Sequence, residues 1–286
     1  MSEIDEILLD AHVHFHAAFS RRLFFDGALS NLRSAAAELG LAADTVGCLM
    51  FTESRGAQAF EVFLQEANGA PRSDGERCWS FERTDEDNSL WAVRDPNPRR
   101  LLLIAGRQLV TREGLEVLAL GCRAELADGE PLRAAIDATL AAGAIPIVPW
   151  GFGKWWGRRG ALLAELLQRP GERRFFVGDN GGRAALLPRP RLFETAAQNG
   201  IFVLPGSDPL PFAPQTTKAG RCGFHLQATL DQRRPAEQLL AMLRHCESQP
   251  RVFGRYESLP GFVGQQVAMQ LHKRRPGAAT ASRELP

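Results

Sequence analysis

The chain has 286 residues, 44% of them hydrophobic and 23% charged, which is ample material for one barrel-sized core. Its 34 basic and 33 acidic residues nearly cancel, and its Arg-Arg pairs are spread along the chain. Composition therefore gives no electrostatic reason to expect nucleic acid as a partner. No apolar run approaches the roughly 20 residues needed to span a bilayer. Cys48, Cys78, Cys122, Cys222 and Cys246 show no CxxC spacing, which argues against a disulfide framework or a zinc ribbon. The acidic stretch Ser2-Glu3-Ile4-Asp5-Glu6 is unlike a signal peptide. The expectation is a cytoplasmic protein acting on a small-molecule substrate, with no nucleic acid and no membrane; nothing in the sequence signals an oligomeric state.

Periodicity predicts a strand over 7–13, then an amphipathic helix over 23–39 stopped by Gly40. A strand over 46–51 and a helix over 57–68 follow, and 69–78 reads as a polar loop. Segments 79–83 and 90–94 alternate apolar and polar residues around Asp85-Glu86-Asp87-Asn88, a half-exposed hairpin. Segments 101–110 and 115–120 flank Glu113-Gly114 as a second hairpin.

From there the pattern alternates strictly. A helix over 131–142 has Pro131 as its first residue and Gly143 as its stop. Strands over 144–150, 175–179 and 201–208 are separated by helices over 160–167 and 191–199. Helices over 236–246 and 262–273 close the pattern, and His272-Lys273-Arg274-Arg275 places cations at a helix C-terminus. A polar tail, 276–286, is expected to be disordered, and no linker divides 1–275. Continuous apolar strands alternating with helices predict an α/β fold with a parallel sheet buried on both faces.

Polar residues gather where these strands end: Asp10, His12 and His14; Thr52, Glu53 and Ser54; Lys154; Asp179 and Asn180; Ser207 and Asp208. In parallel α/β folds the loops at the carboxyl ends of strands converge on one rim and bind ligands there. The sharpest signal is Asp10-Ala11-His12-Val13-His14. Residues two apart in a strand point the same way, so both imidazoles can reach one ion. Imidazole suits zinc, manganese or iron, and a carboxylate such as Asp208 supplies charge balance. His16, on a turn, is expected to be a surface or hydrogen-bonding residue.

Lys154 sits in Gly151-Phe152-Gly153-Lys154-Trp155-Trp156, where an ammonium could meet a phosphate or carboxylate; a plain surface lysine fits equally well. In Gly178-Asp179-Asn180-Gly181-Gly182-Arg183, Arg183 could clamp an anion beside Asp179 and Asn180, although a tight turn explains the same residues. Cys222 and His225, three apart, fall on opposite faces of a possible strand and make a poor nucleophile pair.

Leu8-Leu9-Asp10-Ala11-His12-Val13-His14 resembles the opening motif of the polymerase and histidinol phosphatase (PHP) family and of the wider amidohydrolase-like barrels. Three further stretches fall in matching order. Ile104 through Leu120 is similar to that family's strand and hairpin, which begins Gly-X-Glu. Ala142 through Gly151 resembles the strand that ends in His-Pro, and Asn199 through Asp208 resembles the terminal Gly-Ser-Asp-X-His. Together they cover about residues 7–215. The resemblance implies a distorted TIM-like (β/α)7 barrel with an inserted β-hairpin region.

It also implies a depleted metal site. The second-strand histidine falls on Ser54, the hairpin glutamate on Gln108, the His-Pro histidine on Pro149 or Trp150, and the last histidine on Pro209 or Leu210. His12, His14 and Asp208 remain, with Glu53 or Asp179 as further carboxylates, enough for one divalent ion. Asp208 would serve as ligand and proton acceptor, with Lys154 beside it; Gln108, Trp150, Asp179, Asn180 and Arg183 would face the substrate. Two functions follow: a metal-dependent hydrolase of a phosphoester or similar polar small molecule, or a PHP-like binding or regulatory protein without catalysis.

Overall fold

Helix α1 (Arg21–Leu39) shows how closely local chemistry sets the elements. The Ser20 hydroxyl accepts the Leu23 amide at 3.3 Å and opens the helix. Gly40, at φ 72°, closes it by returning its amide to the carbonyls of the last turn, in a left-handed conformation that glycine adopts without strain. The computed structural model describes residues 5–70, 78–96 and 99–274. The expected tail, 276–286, lies outside the described residues, as does most of the expected 69–78 loop.

In chain order the elements are β1 (Asp5–Val13), α1, β2 (Val46–Phe51), α2 (Ala59–Ala67), β3 (Trp79–Arg83), β4 (Ser89–Arg94), β5 (Arg99–Ile104), β6 (Gly106–Val110) and β7 (Glu116–Leu120). There follow α3 (Leu132–Ala141), β8 (Ile145–Pro149), α4 (Gly157–Gln168), β9 (Phe176–Gly178), α5 (Leu192–Gln198), β10 (Cys222–Ala228), α6 (Pro235–Arg244), β11 (Arg251–Gly254) and α7 (Leu259–Arg274). The fold is mixed α/β. The strands form a seven-stranded sheet, β11-β10-β1-β2-β5-β4-β3, and a four-stranded sheet, β6-β7-β8-β9. No helix among the described residues is long and apolar enough to cross a membrane.

The expectation of a parallel sheet needs correction. Among the named strands of the described residues, parallel pairing is confined to β1 with β2, β2 with β5, and β8 with β9. The β3–β4 and β6–β7 hairpins are antiparallel, as their short connections require. Strand β10 is antiparallel to β1. The segment expected as one strand over 201–208 makes only isolated bridges, Val203 to Val177 and Asn180 to Gly206, both parallel.

Strand β1 is buried on both faces because its side chains feed two cores. Leu8 and Val13 pack with Phe24, Phe25 and Phe63 under α1 and α2. Ile7, Leu9 and Ala11 point the other way, into a cluster shared by both sheets and by Leu239, Leu240 and Leu243 of α6. A third cluster packs α3, α4 and α5 against β7, β8 and β9 and takes in Phe262 of α7.

The run expected as one strand over 101–110 is divided at Ala105, so that β5 belongs to the first sheet and β6 to the second. Ala105 donates to Asn88 O at 2.9 Å and accepts from the Gly121 amide at 2.7 Å. At Gly106 the backbones crowd: an added Cβ would lie 2.2 Å from the Phe51 carbonyl oxygen. Gly106→Ala is therefore expected to destabilise the fold by about 1–3 kcal/mol through overpacking. Urea unfolding measures this, and an unchanged midpoint would show that the two sheets part freely there.

Candidate metal centre

The carboxyl end of β1 is shaped by a buried carboxylate. Asp10 is fully buried and accepts from the Ser207 amide at 2.8 Å, the Ser207 hydroxyl at 2.5 Å, the Gly220 amide at 2.7 Å and the His12 amide at 3.2 Å. Burial pushes its carboxyl up to about 6 against the pull of these four donors. These bonds dock the 205–208 segment beside β1, where Ala11 donates to Pro205 O at 3.2 Å and Asp208 to His12 O at 2.8 Å. Only glycine fits at 206, where a Cβ would come within 2.3 Å of His12 N.

This docking brings Asp208 to the two histidines. His12 and His14 Nε2 stand 3.0 Å apart, and Asp208 Oδ1 is 3.5 Å from each. Their ligand atoms all fall within 4.8 Å of one another. The register shift between β1 and β2 after Asp10 marks an irregularity where the strand leaves the ladder, and His14 lies just past its end. Asp208 holds φ 46°, a left-handed backbone that Asp tolerates better than most non-glycine residues. Asn180 donates to its Oδ2, leaving Oδ1 to face the imidazoles.

The donors suit a divalent cation. A tetrahedral zinc with bonds of about 2.05 Å would hold two imidazole nitrogens roughly 3.3 Å apart, close to the spacing seen. Burial, reinforced by the adjacent His12 ring, pushes His14 down to about 3, so its ring is neutral and keeps the lone pair that ligation needs. Burial alone would raise Asp208, but the two imidazoles, the Lys154 ammonium and the Asn180 amide outweigh it and hold the carboxyl below the usual range. Gln108 Oε1, 3.1 Å from His12 Nε2, adds a neutral oxygen at the same point. This His-His-Asp group could bind a metal ion.

The other expected residues divide. Glu53, expected as a further ligand, is occupied elsewhere: its Oε1 accepts the Phe60 amide at 2.9 Å at the start of α2, and its Oε2 lies 3.3 Å from Arg107. Burial raises its carboxyl. Asp179 and Arg183, expected at the substrate, are buried against each other in a two-pronged pair at 3.0 and 2.9 Å. Tyr256 donates to Asp179 at 2.8 Å, and its ring lies 4.1 Å from the Arg183 guanidinium carbon. No local signal in the sequence marks Tyr256.

Lys154 pairs with Glu116 and, with Asn180, Asp208 and Trp150, lines a cleft of about 570 Å³ roofed by α7. His16 bonds the Pro209 carbonyl at 2.9 Å. His225 pairs with Glu6, and Cys222 is buried with its thiol raised by desolvation, so the two form no nucleophile pair.

No protein-family model matches the sequence, and no curated protein matches it. Among solved structures the chain is similar to PsfC from Pseudomonas syringae PB-5123. The identity is 13%, the match covers 93% of this chain and 99% of that one, and the TM-score is 0.52. The likeness is one of fold. The chain also aligns with the lesion-specific endonuclease Q of Pyrococcus furiosus, at 11% identity over 87% of this chain and 58% of that one, TM-score 0.45. Endonuclease Q bound to a 27-mer duplex with an abasic lesion at its active site aligns at 12% identity over 99% and 74%, TM-score 0.47. With a DNA-binding enzyme among the similar structures, the expectation of no nucleic-acid partner is withdrawn. It rested on net charge, which says nothing of how charge is placed around a rim.

The Asp179–Arg183–Tyr256 assembly carries a prediction of its own. Arg183→Ala leaves a buried carboxylate unpaired and should cost about 3–5 kcal/mol in denaturant unfolding, whereas Tyr256→Phe, losing one hydrogen bond, should cost only about 1 kcal/mol. Unchanged stability in Arg183→Ala would return Arg183 to the role of a substrate clamp.

Proposed function

We propose that this chain is a PHP-like, metal-dependent hydrolase that cleaves a phosphoester or similarly polar substrate with one divalent ion, on a distorted (β/α)7 barrel. Backbone bonding between the two sheets supports the barrel reading. On one side Glu53 donates to Gly106 O at 3.0 Å and accepts from the Gln108 amide at 2.9 Å, joining the end of β2 to β6. On the other, the 203–208 segment lies between β9 and the end of β1. The metal reading rests above all on the convergence of His12, His14 and Asp208.

A divalent cation held there would supply Lewis acidity toward a substrate oxygen. The chain's own groups do the rest. Asp208 stays ionised near neutrality and is fixed by Asn180, placing a proton acceptor beside the imidazoles. Lys154, carried on the Gly151–Gly153 turn, presents an ammonium to the same cleft, where a phosphoryl or carboxylate oxygen can meet it. Trp150, almost fully buried, forms part of the wall and keeps water from that side. Gln108, neutral where the family pattern has a glutamate, lowers the negative charge and favours one ion over a cluster.

The second reading, a PHP-like protein that binds without turnover, draws on that same neutral amide and on Pro149 and Trp150 in place of a ligating histidine. Elemental analysis of protein purified without chelator separates the two. The hydrolase should carry about one equivalent of zinc, manganese or iron; His12→Ala and Asp208→Asn should lose it, and Asn180→Ala should weaken it by about 10–100-fold. A metal-free chain whose melting temperature ignores chelator would leave the binding protein standing.

A further inference from the structure

We infer that the substrate carries, beside its anionic group, a flat aromatic group that lies against Phe152 in the cleft under α7; this rests on the metal-dependent reading above. The cleft is two-sided. Asp208, Asn180 and Lys154 form its polar end, while Phe152, Phe262 and Met269 form an apolar wall. Its volume of about 570 Å³ is that of a whole small-molecule site, commonly about 300–1,000 Å³, and far exceeds what a phosphoryl group occupies. Somewhat more of the cleft's lining is apolar than polar.

Phe152 shows what shape fits there. It stands on the loop between Gly151 and Gly153 and is 43% exposed, beside Trp156, which is exposed as well. Its ring has two roughly perpendicular aromatic neighbours, Trp156 with centroids 5.0 Å apart at 69° and Phe262 at 5.1 Å and 78°. Phe262 is itself anchored in the core beside Trp155 and Phe193. A ring flanked by two such neighbours is a ready platform for an offset-stacked partner. Gln266 and Gln270 line the same cleft from α7 and offer amide donors and acceptors to the edge of such a ring.

Charge orders the two halves. At the polar end the carboxylates of Asp208 and Glu116 outnumber the single ammonium of Lys154, so an anion is repelled there until a divalent cation reverses the balance. The aromatic half needs no ion. Affinity for the head group therefore depends on metal, and the preference for a ring depends on Phe152.

The test is calorimetric titration of the full chain, loaded with manganese, with phenyl phosphate and with ethyl phosphate. These carry the same head group and differ in the ring. Phenyl phosphate should bind roughly tenfold more tightly. Phe152→Ala should remove that preference while leaving ethyl phosphate affinity and bound manganese unchanged, and Met269→Ala, in the same apolar wall, should reduce it. Equal affinity for the two phosphates in the parent chain, or an equal loss of both in Phe152→Ala, overturns the inference while the metal reading stands. A chain that holds no manganese and binds neither phosphate overturns the metal reading, and this inference with it.

Discussion

The buried carboxylate of Asp10 is the constraint on which the rest of the site depends. A carboxylate taken wholly out of water is costly unless its lone pairs are satisfied, and here three come from distant chain, two on Ser207 and one on Gly220. The strand end, the 205–208 segment and the turn at Gly220 are thereby fastened at one point. Asp208 is set against His12 and His14 as a consequence of that fastening. The Asp10 oxygens are taken by the Ser207, Gly220 and His12 donors, so the carboxylate nearest the histidines in sequence organises the site without joining the His12–His14–Asp208 group.

The legible parts of the sequence were those whose physics is local. The two-residue period of a strand placed His12 and His14 together, and Gly40 ended α1 where the chain needed a left-handed residue. Asp208 could be linked to the histidines by its place at the end of a late apolar segment. Less legible were features decided by distant partners. The apolar run over 101–110 holds one glycine and no charge after Arg107, so nothing local announces that it serves two sheets. Strand β10 was obscured because His225 and Gln227 break the apolar pattern, and both face Glu6 across the ladder. The local pattern around Asp179 and Arg183 fits either a tight turn or an anion clamp by Arg183; Tyr256, the chain's only tyrosine, closes over them from far along the sequence.

The donor set has a chemistry of its own. Two imidazoles, one carboxylate and one amide oxygen supply a single carboxylate charge to whatever they hold. Several divalent ions could not be balanced by so little charge, whereas one ion would keep positive character for an anionic ligand. Lys154 lies close enough to help depress the Asp208 carboxyl, so its ammonium acts as a counter-charge there.

The crossing at Ala105 ties the architecture to this chemistry. Gln108 lies three residues beyond the point where the chain passes from one sheet to the other, and its amide oxygen rests on His12. His12 rides on β1 in the first sheet and Gln108 on β6 in the second. Any shear between the sheets must change the span between these two side chains, so the rigidity of the junction between the two sheets sets how steadily the fourth oxygen stays with the other three donors.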